Sequence, residues 1–184
     1  MVVGLLVILG IIVVLIAMAI GYKNKFVVLD NRVKNAWSQI DVQLENRFNL
    51  IPNFVETVKA YAKHEKETFD GIARARSNFQ NATTPEAKME ANNQLNGFLG
   101  RLFAVSEAYP ELKANTSFEN LQGQLVELEN KIRFARQFYN DTVTEYNQSI
   151  QMFPANIFAG FFNYRLAELF KADDIARVTP QVRF

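Results

Sequence analysis

RVKNAWSQIDVQLENRFNLIPNFVETVKAYAKHEKETF, residues 32–69, decides the architecture. Apolar or small residues recur in it at Val33, Trp37, Ile40, Leu44, Phe48, Ile51, Val55, Val58 and Ala62, and the pattern resumes at Phe69 and Ile72 after one step of seven across Glu65. Steps of three or four put these side chains on one face of a helix. Pro52 interrupts the pattern chemically: it lacks a backbone donor and its ring presses on the carbonyl of Phe48, at a cost of ~3 kcal/mol in a helix interior unless a bend relieves it. The stripe keeps its phase through Phe48, Ile51 and Val55, so a kink is expected there; the alternative is a break into two helices at Leu50.

Upstream, residues 2–20 read VVGLLVILGIIVVLIAMAI, with no charged or strongly polar side chain. As a helix this run rises ~28 Å, close to the hydrocarbon thickness of a bilayer. It predicts a membrane anchor carried by Val2, Leu5, Leu9, Ile12, Leu15 and Ile20. The rival is a cleaved signal, for which Ala17-Met18-Ala19 offers a small-residue site. Against it stand the absence of lysine or arginine before the run and the length of the run. Lys23, Lys25, Arg32 and Lys34 follow the span, and the positive-inside bias then favours a cytoplasmic body on a single-pass anchor in the cell membrane. GYKNKFVVLDNR, residues 21–32, carries no proline or loop-like cluster. If the span runs into the soluble helix without a break, the first helix has about 75 residues and a length of roughly 110 Å.

Downstream, SNFQNATTPEAK (residues 77–88) holds a helix start: Thr84 as N-cap, Pro85 at the first helical position, Glu86 in the first turn. A second helix is expected over 85–108, presenting Met89, Leu95, Phe98, Leu99, Leu102, Phe103 and Val105, closed by Tyr109-Pro110. Asn115 or Thr116 caps a third helix carrying Phe118, Leu121, Leu125, Leu128, Ile132, Ala135, Tyr139, Val143, Tyr146 and Ile150, stopped by Phe153-Pro154. Strand signals and repeats are absent. The chain therefore predicts an all-α protein: an anchor over 1–22, a long antiparallel helical bundle over 23–152, and an aromatic-rich C-terminal helical segment over 153–184. Three long helices form the bundle.

Lysine plus arginine (20) balance aspartate plus glutamate (19), leaving no single-sign field to gather nucleic acid. There is no cysteine, hence no thiol nucleophile or zinc-thiolate site. One histidine, His64, cannot supply the histidine pairs of a di-iron bundle or a zinc protease, and the eight glycines form no phosphate-binding loop. His64 with Glu65 or Glu67 is a conceivable acid-base pair, but KHEKE reads as a solvated charged run, and Glu56 as a surface residue. No catalytic, cofactor-binding or metal-binding residue is assigned. Polar positions beside the stripe are more informative. Asp41, Arg47 and Asn53, with Arg133, Arg136 and Asn140, either meet as a buried network that fixes register or are solvated. Neighbouring Asn31, Arg32 and Asn147 share this choice.

Residues 153–170 contain six aromatics, too many for a solvated tail. Phe158, Phe161, Phe162 and Phe170 either dock into the bundle or form an interface with the membrane or another copy.

Residues 32–69 also resemble the signature of the LemA family of bacterial membrane-anchored proteins. The resemblance continues through LNGFLGRLFAVSEAYPELKAN (95–115), ENKIRFARQFYNDTVTEYNQSIQMFP (129–154) and the closing P-x-V-x-F (180–184). AELFKADD, residues 167–174, departs from the Tyr-Phe-Glu cluster usual in the family. The resemblance implies a one-span anchor followed by a long helical bundle, with no enzymatic activity and no cofactor. Members are often encoded beside membrane proteases or phosphatase-like membrane proteins, which implies a scaffold for membrane organisation or protein quality control by association alone. Self-assembly into a homo-oligomer is expected from apolar area, since the stripe of the first helix and the aromatic tail exceed what one thin bundle can bury. The alternative is a sensory or ligand-binding module coupled to the anchor, and a hydrolase built on His64 ranks third.

Overall fold

The computed structural model describes residues 2–170, so the expectations for 171–184, including the second half of AELFKADD and the closing P-x-V-x-F, lie outside the described residues. Six helices follow in order: α1 (Val2–Lys59), α2 (Lys66–Asn81), α3 (Pro85–Ala108), α4 (Pro110–Lys113), α5 (Thr116–Gln151) and α6 (Ala155–Phe161), with no strand among the described residues. The all-α class is as the sequence indicates.

The first helix is shorter than its stripe. α1 passes through Leu50 and Pro52 without a break, then stops at Lys59 instead of running on to Ile72. The amides of Tyr61 and Ala62 both bond the Val58 carbonyl, at 3.0 and 2.9 Å, closing the last turn. Ala62 is buried while Lys63 and His64 are exposed, so the charged run leaves through a turn at the surface. The seven-residue step in the apolar pattern marks this break. Phe69 and Ile72 are core residues, as the stripe implied, but of a separate helix.

The other boundaries follow local chemistry. The Thr84 hydroxyl accepts from the Ala87 amide at 3.2 Å, and Pro85 opens α3. The Asn115 side-chain oxygen accepts from the amides of Ser117 and Phe118, at 2.9 and 3.1 Å, and thereby starts α5.

The chain packs as two units. One comprises residues 39–135 with Phe170. Its core is built from α1, α2, α3 and α5: Phe48 stacks on Phe79 with centroids 4.1 Å apart, and Phe54 meets Phe103 at 5.6 Å and Phe118 at 5.1 Å. Ile51, Leu95, Leu102, Leu112 and Ile132 are almost fully buried around them. Each such side chain contributes roughly 1.5–3 kcal/mol relative to exposure. α2 is thus the fourth helix of a bundle that a three-helix reading lacks.

The other unit comprises residues 2–38 and 136–169. Here the first part of α1 packs against the last part of α5, α6 and the extended segment after it. Trp37 meets Tyr139 edge-on at 5.9 Å, and Phe26, fully buried, meets Tyr164 at 5.1 Å. Val2, Leu5, Leu9, Ile12, Leu15 and Ile20 are all exposed, as apolar side chains facing a bilayer would be.

Candidate functional site

In the four-helix unit, charged residues are drawn into the core by specific partners. Arg47 on α1 is buried, and its guanidinium donates to the Asn92 side-chain oxygen at 2.9 Å and pairs with Glu129 at 3.0 Å. Asn92 is fully buried, whereas Glu129 keeps almost half its side chain in water. One turn and a half earlier, Asp41 pairs with Lys88 of α3 at 2.5 Å. These pairs tie α1 to α3 and α5 and fix their register; desolvation of the ions offsets much of their Coulomb attraction.

The remaining polar candidates fall elsewhere. Asn53 is exposed. Arg133 is exposed, donating to Asn130 at 2.9 Å and lying over the Phe134 ring. Arg136 and Asn140 belong to the other unit and are half-buried there. Asn31 and Arg32 are exposed, with Arg32 3.6 Å from Glu145. His64 and Glu56 are exposed. A cleft of about 380 Å³ opens between Gln43, Asn46 and Leu50 of α1 and Gln124, Leu128 and Lys131 of α5. At its edge the Lys131 ammonium bonds Glu127 at 2.6 Å and lowers the pKa of that carboxyl.

In the other unit, polar side chains of α5 hold the chain that follows α6. Asn147 acts as a strand edge would: its amide nitrogen donates to the Ala167 carbonyl and its oxygen accepts from the Ala167 amide, both at 2.9 Å. The Tyr146 hydroxyl donates to the Arg165 carbonyl at 2.8 Å and that of Tyr139 to the Glu168 carbonyl at 2.9 Å. Burial raises the Tyr146 pKa above its ordinary value, helped by the carboxylate of Asp30 and by Tyr164.

This clamp closes a hairpin. α5 ends at Gln151, the chain turns through Phe153 and Pro154, α6 follows, and Asn163 at φ 59° starts the return. Asparagine tolerates that left-handed conformation better than most residues. Phe158 stacks on Tyr22 of α1 at 5.2 Å, and the Lys23 ammonium lies over the Phe162 ring at 5.4 Å. An almost wholly apolar groove of about 310 Å³ is lined by Ile12, Leu15, Ile16 and Ala19 of α1 and by Ile157, Phe158 and Phe161 of α6. Of the four aromatic candidates, Phe170 is buried, Phe158 and Phe162 are half-buried, and Phe161 is exposed. The segment therefore divides between docking and an open face. Sequence reasoning missed the clamp of Tyr139, Tyr146 and Asn147, although tyrosine and asparagine at stripe-edge positions were its only available signal.

A long apolar N-terminal helix with exposed side chains, followed by further helices, suggests a membrane anchor and defines a helical, membrane-associated class of protein. The LemA family profile matches residues 36–184, and the chain belongs to the LemA family. It is similar to Magnetosome protein MamQ 2 of Paramagnetospirillum magneticum, at 26% identity over 200 residues, covering 93% of this chain and 74% of the relative. It is likewise 26% identical over 160 residues to Protein LemA of Metamycoplasma hominis, covering 86% of this chain and 73% of that one. Magnetosome protein MamQ of Magnetospirillum gryphiswaldense is 23% identical over 188 residues, with 86% and 69% coverage. None of these names is that of an enzyme.

Proposed function

We propose that this chain is a non-enzymatic, single-pass scaffold of the cell membrane that self-associates and presents a helical surface to other membrane proteins. The observation that carries the reading is an exposed phenylalanine in each unit, Phe134 and Phe138, both on α5 and exposed by 65% and 51%. Large aromatics that the chain's own core leaves uncovered are the residue type that anchors interfaces. Each offers roughly 100 Å² per copy, because a phenylalanine side chain presents about 150–250 Å² in all. That is a hot spot, well short of the ~800 Å² per partner of a stable interface. The apolar anchor helices are the natural source of the remainder.

The cytoplasmic side is favoured by Lys23, Lys25, Arg32 and Lys34, all exposed just after the span. Single cysteines test both parts in native membranes, since the chain has none of its own. Phe138→Cys should form a disulfide-linked dimer under mild oxidation while Glu107→Cys does not. Glu107→Cys should react with a membrane-impermeant maleimide only after the cells are opened. A Phe138→Cys chain that stays monomeric would count against self-association through Phe138.

A second reading, a sensory module, draws on α1, which is a single helix from Val2 to Lys59 and so joins the apolar segment to the helical body. The cleft beside Gln43, Gln124 and Lys131 is its candidate binding place. A small molecule that raises the unfolding temperature of the wild-type chain, but not of Lys131→Ala, would favour it.

A further inference from the structure

From Tyr146 to Tyr164 the chain carries no charged side chain: YNQSIQMFPANIFAGFFNY lies between Glu145 and Arg165. The structure folds these residues into the α5–α6 hairpin and turns four large apolar side chains outward. Met152 is exposed by 65%, Phe153 by 80%, Ile157 by 60% and Phe161 by 78%. Such a cluster at the tip of a soluble hairpin would be an aggregation liability.

Its position supplies the occupant. The groove between α1 and α6 is lined by Ile12, Leu15 and Ile16 on one side and by Ile157, Phe158 and Phe161 on the other. These α1 positions lie inside the uncharged run that reads as the span. Ile16 precedes Lys23 by seven residues, which puts it about 10 Å further along the helix axis. That matches the depth of roughly 5–10 Å to which interfacial helices bury their apolar face. Side chains suited to the headgroup region gather near Lys23: Tyr22 stacked on Phe158, Lys23 over Phe162 and Tyr164 against Phe26. Part of the backbone of the turn and of the end of α6 is bonded internally, as an apolar medium favours. The amide of Asn156 bonds the Met152 carbonyl at 2.9 Å, that of Phe162 the Phe158 carbonyl at 2.9 Å, and that of Tyr164 the Ala159 carbonyl at 3.0 Å.

We propose that the α5–α6 hairpin is a second membrane-contacting element, whose tip of Met152, Phe153, Ile157 and Phe161 inserts among the acyl chains of the leaflet that holds the Tyr22 end of the anchor. The inference rests on the anchor reading of residues 2–20 and adds a monotopic contact to it. With two apolar elements side by side in one leaflet, the unit is held against the membrane surface instead of swinging from a single tether.

The test uses the full chain in phosphatidylcholine–phosphatidylglycerol vesicles, with one nitroxide-labelled cysteine at a time: Met152→Cys, Ile157→Cys, Phe161→Cys, Leu9→Cys in the anchor and Glu107→Cys in water. Emission from the single tryptophan, Trp37, confirms that each variant is folded, and three hairpin positions keep the test open if one is not. Collision with oxygen, which concentrates in lipid, is compared with collision with a water-soluble nickel chelate. The expected result is a severalfold preference for oxygen at Leu9 and at the hairpin positions, with the reverse at Glu107. A lipid signal at Leu9 with an aqueous one at 152, 157 and 161 would overturn the hairpin and leave the anchor intact. An aqueous signal at Leu9 would overturn both. Shielding of the hairpin positions from both reagents, with spin-spin broadening between copies, would assign the tip to a second copy and overturn the lipid contact.

Discussion

Replacing Asn147 by leucine should free the segment after α6 without melting the helix that carries it. Leucine has the branched shape of asparagine and a higher helix propensity, but it removes the two 2.9 Å hydrogen bonds to Ala167. Each bond contributes about 1 kcal/mol net, and a buried amide or carbonyl left unsatisfied costs a further 1–3 kcal/mol. Ala167 is half-buried, so water recovers part of that cost. The loss should therefore fall at the low end, about 2–3 kcal/mol of local opening free energy, with Tyr146 and Tyr139 still bonding Arg165 and Glu168. Since each 1.4 kcal/mol is tenfold, amides near Ala167 should exchange about 30- to 140-fold faster. Hydrogen exchange read by mass spectrometry on the detergent-solubilised chain measures this directly, with a peptide from the middle of α5 as internal reference. Less than a threefold change near Ala167, or an equal acceleration in α5, would refute the assignment of Asn147 as the clamp.

Phe54→Ala should destabilise the four-helix unit by about 3–5 kcal/mol, because it empties the place where α1, α3 and α5 meet; urea unfolding followed by circular dichroism checks it. Gly71→Ala sets about 1 kcal/mol of gained helix propensity against a clash, because the Phe98 ring occupies the space a methyl would need. Overpacking of this kind costs about 1–3 kcal/mol, so the net effect should be destabilising by about 1 kcal/mol, and Phe98→Leu in the same chain should recover most of it. The raised pKa of Tyr146 implies that its contribution is fully present below the ordinary tyrosine pKa and is lost as pH rises through the higher folded value. Alkaline titration should then loosen residues near Arg165 in the wild type, and Tyr146→Phe should remove that pH-dependent component while lowering protection at neutral pH.

Helix boundaries were legible where local chemistry sets them. Thr84 and Pro85, which open α3, and Asn115, which caps α5, each carry their signal within a few residues. The stop at Lys59 was not, because no glycine or proline marks it and Pro52 draws attention to a place where the helix continues. The only trace was the seven-residue step across Glu65, which records a change of packing partner. That one misreading propagated. With α2 read as a continuation of α1, the partners of Asp41 and Arg47 were sought on the last long helix. That helix does supply Glu129 to Arg47, but Lys88 and Asn92 reach Asp41 and Arg47 from α3, which packs against α2. Asn53 and Arg133 lie at stripe edges in sequence yet face outward, a distinction set by tertiary packing that periodicity cannot make. The aromatic segment over 153–170 shows the reverse case: its composition signalled burial or an interface, and the structure buries Phe170 while leaving Phe161 open.

Self-association is the claim on which the functional account depends, and the mass of the full chain in mild detergent, corrected for bound detergent, tests it most directly. A discrete multiple of 21.0 kDa is expected for the wild type, falling toward a single chain when Phe134→Ser and Phe138→Ser are combined. A wild-type mass of one chain, unchanged by the double substitution and unaffected by raising the protein concentration, would contradict the scaffold reading.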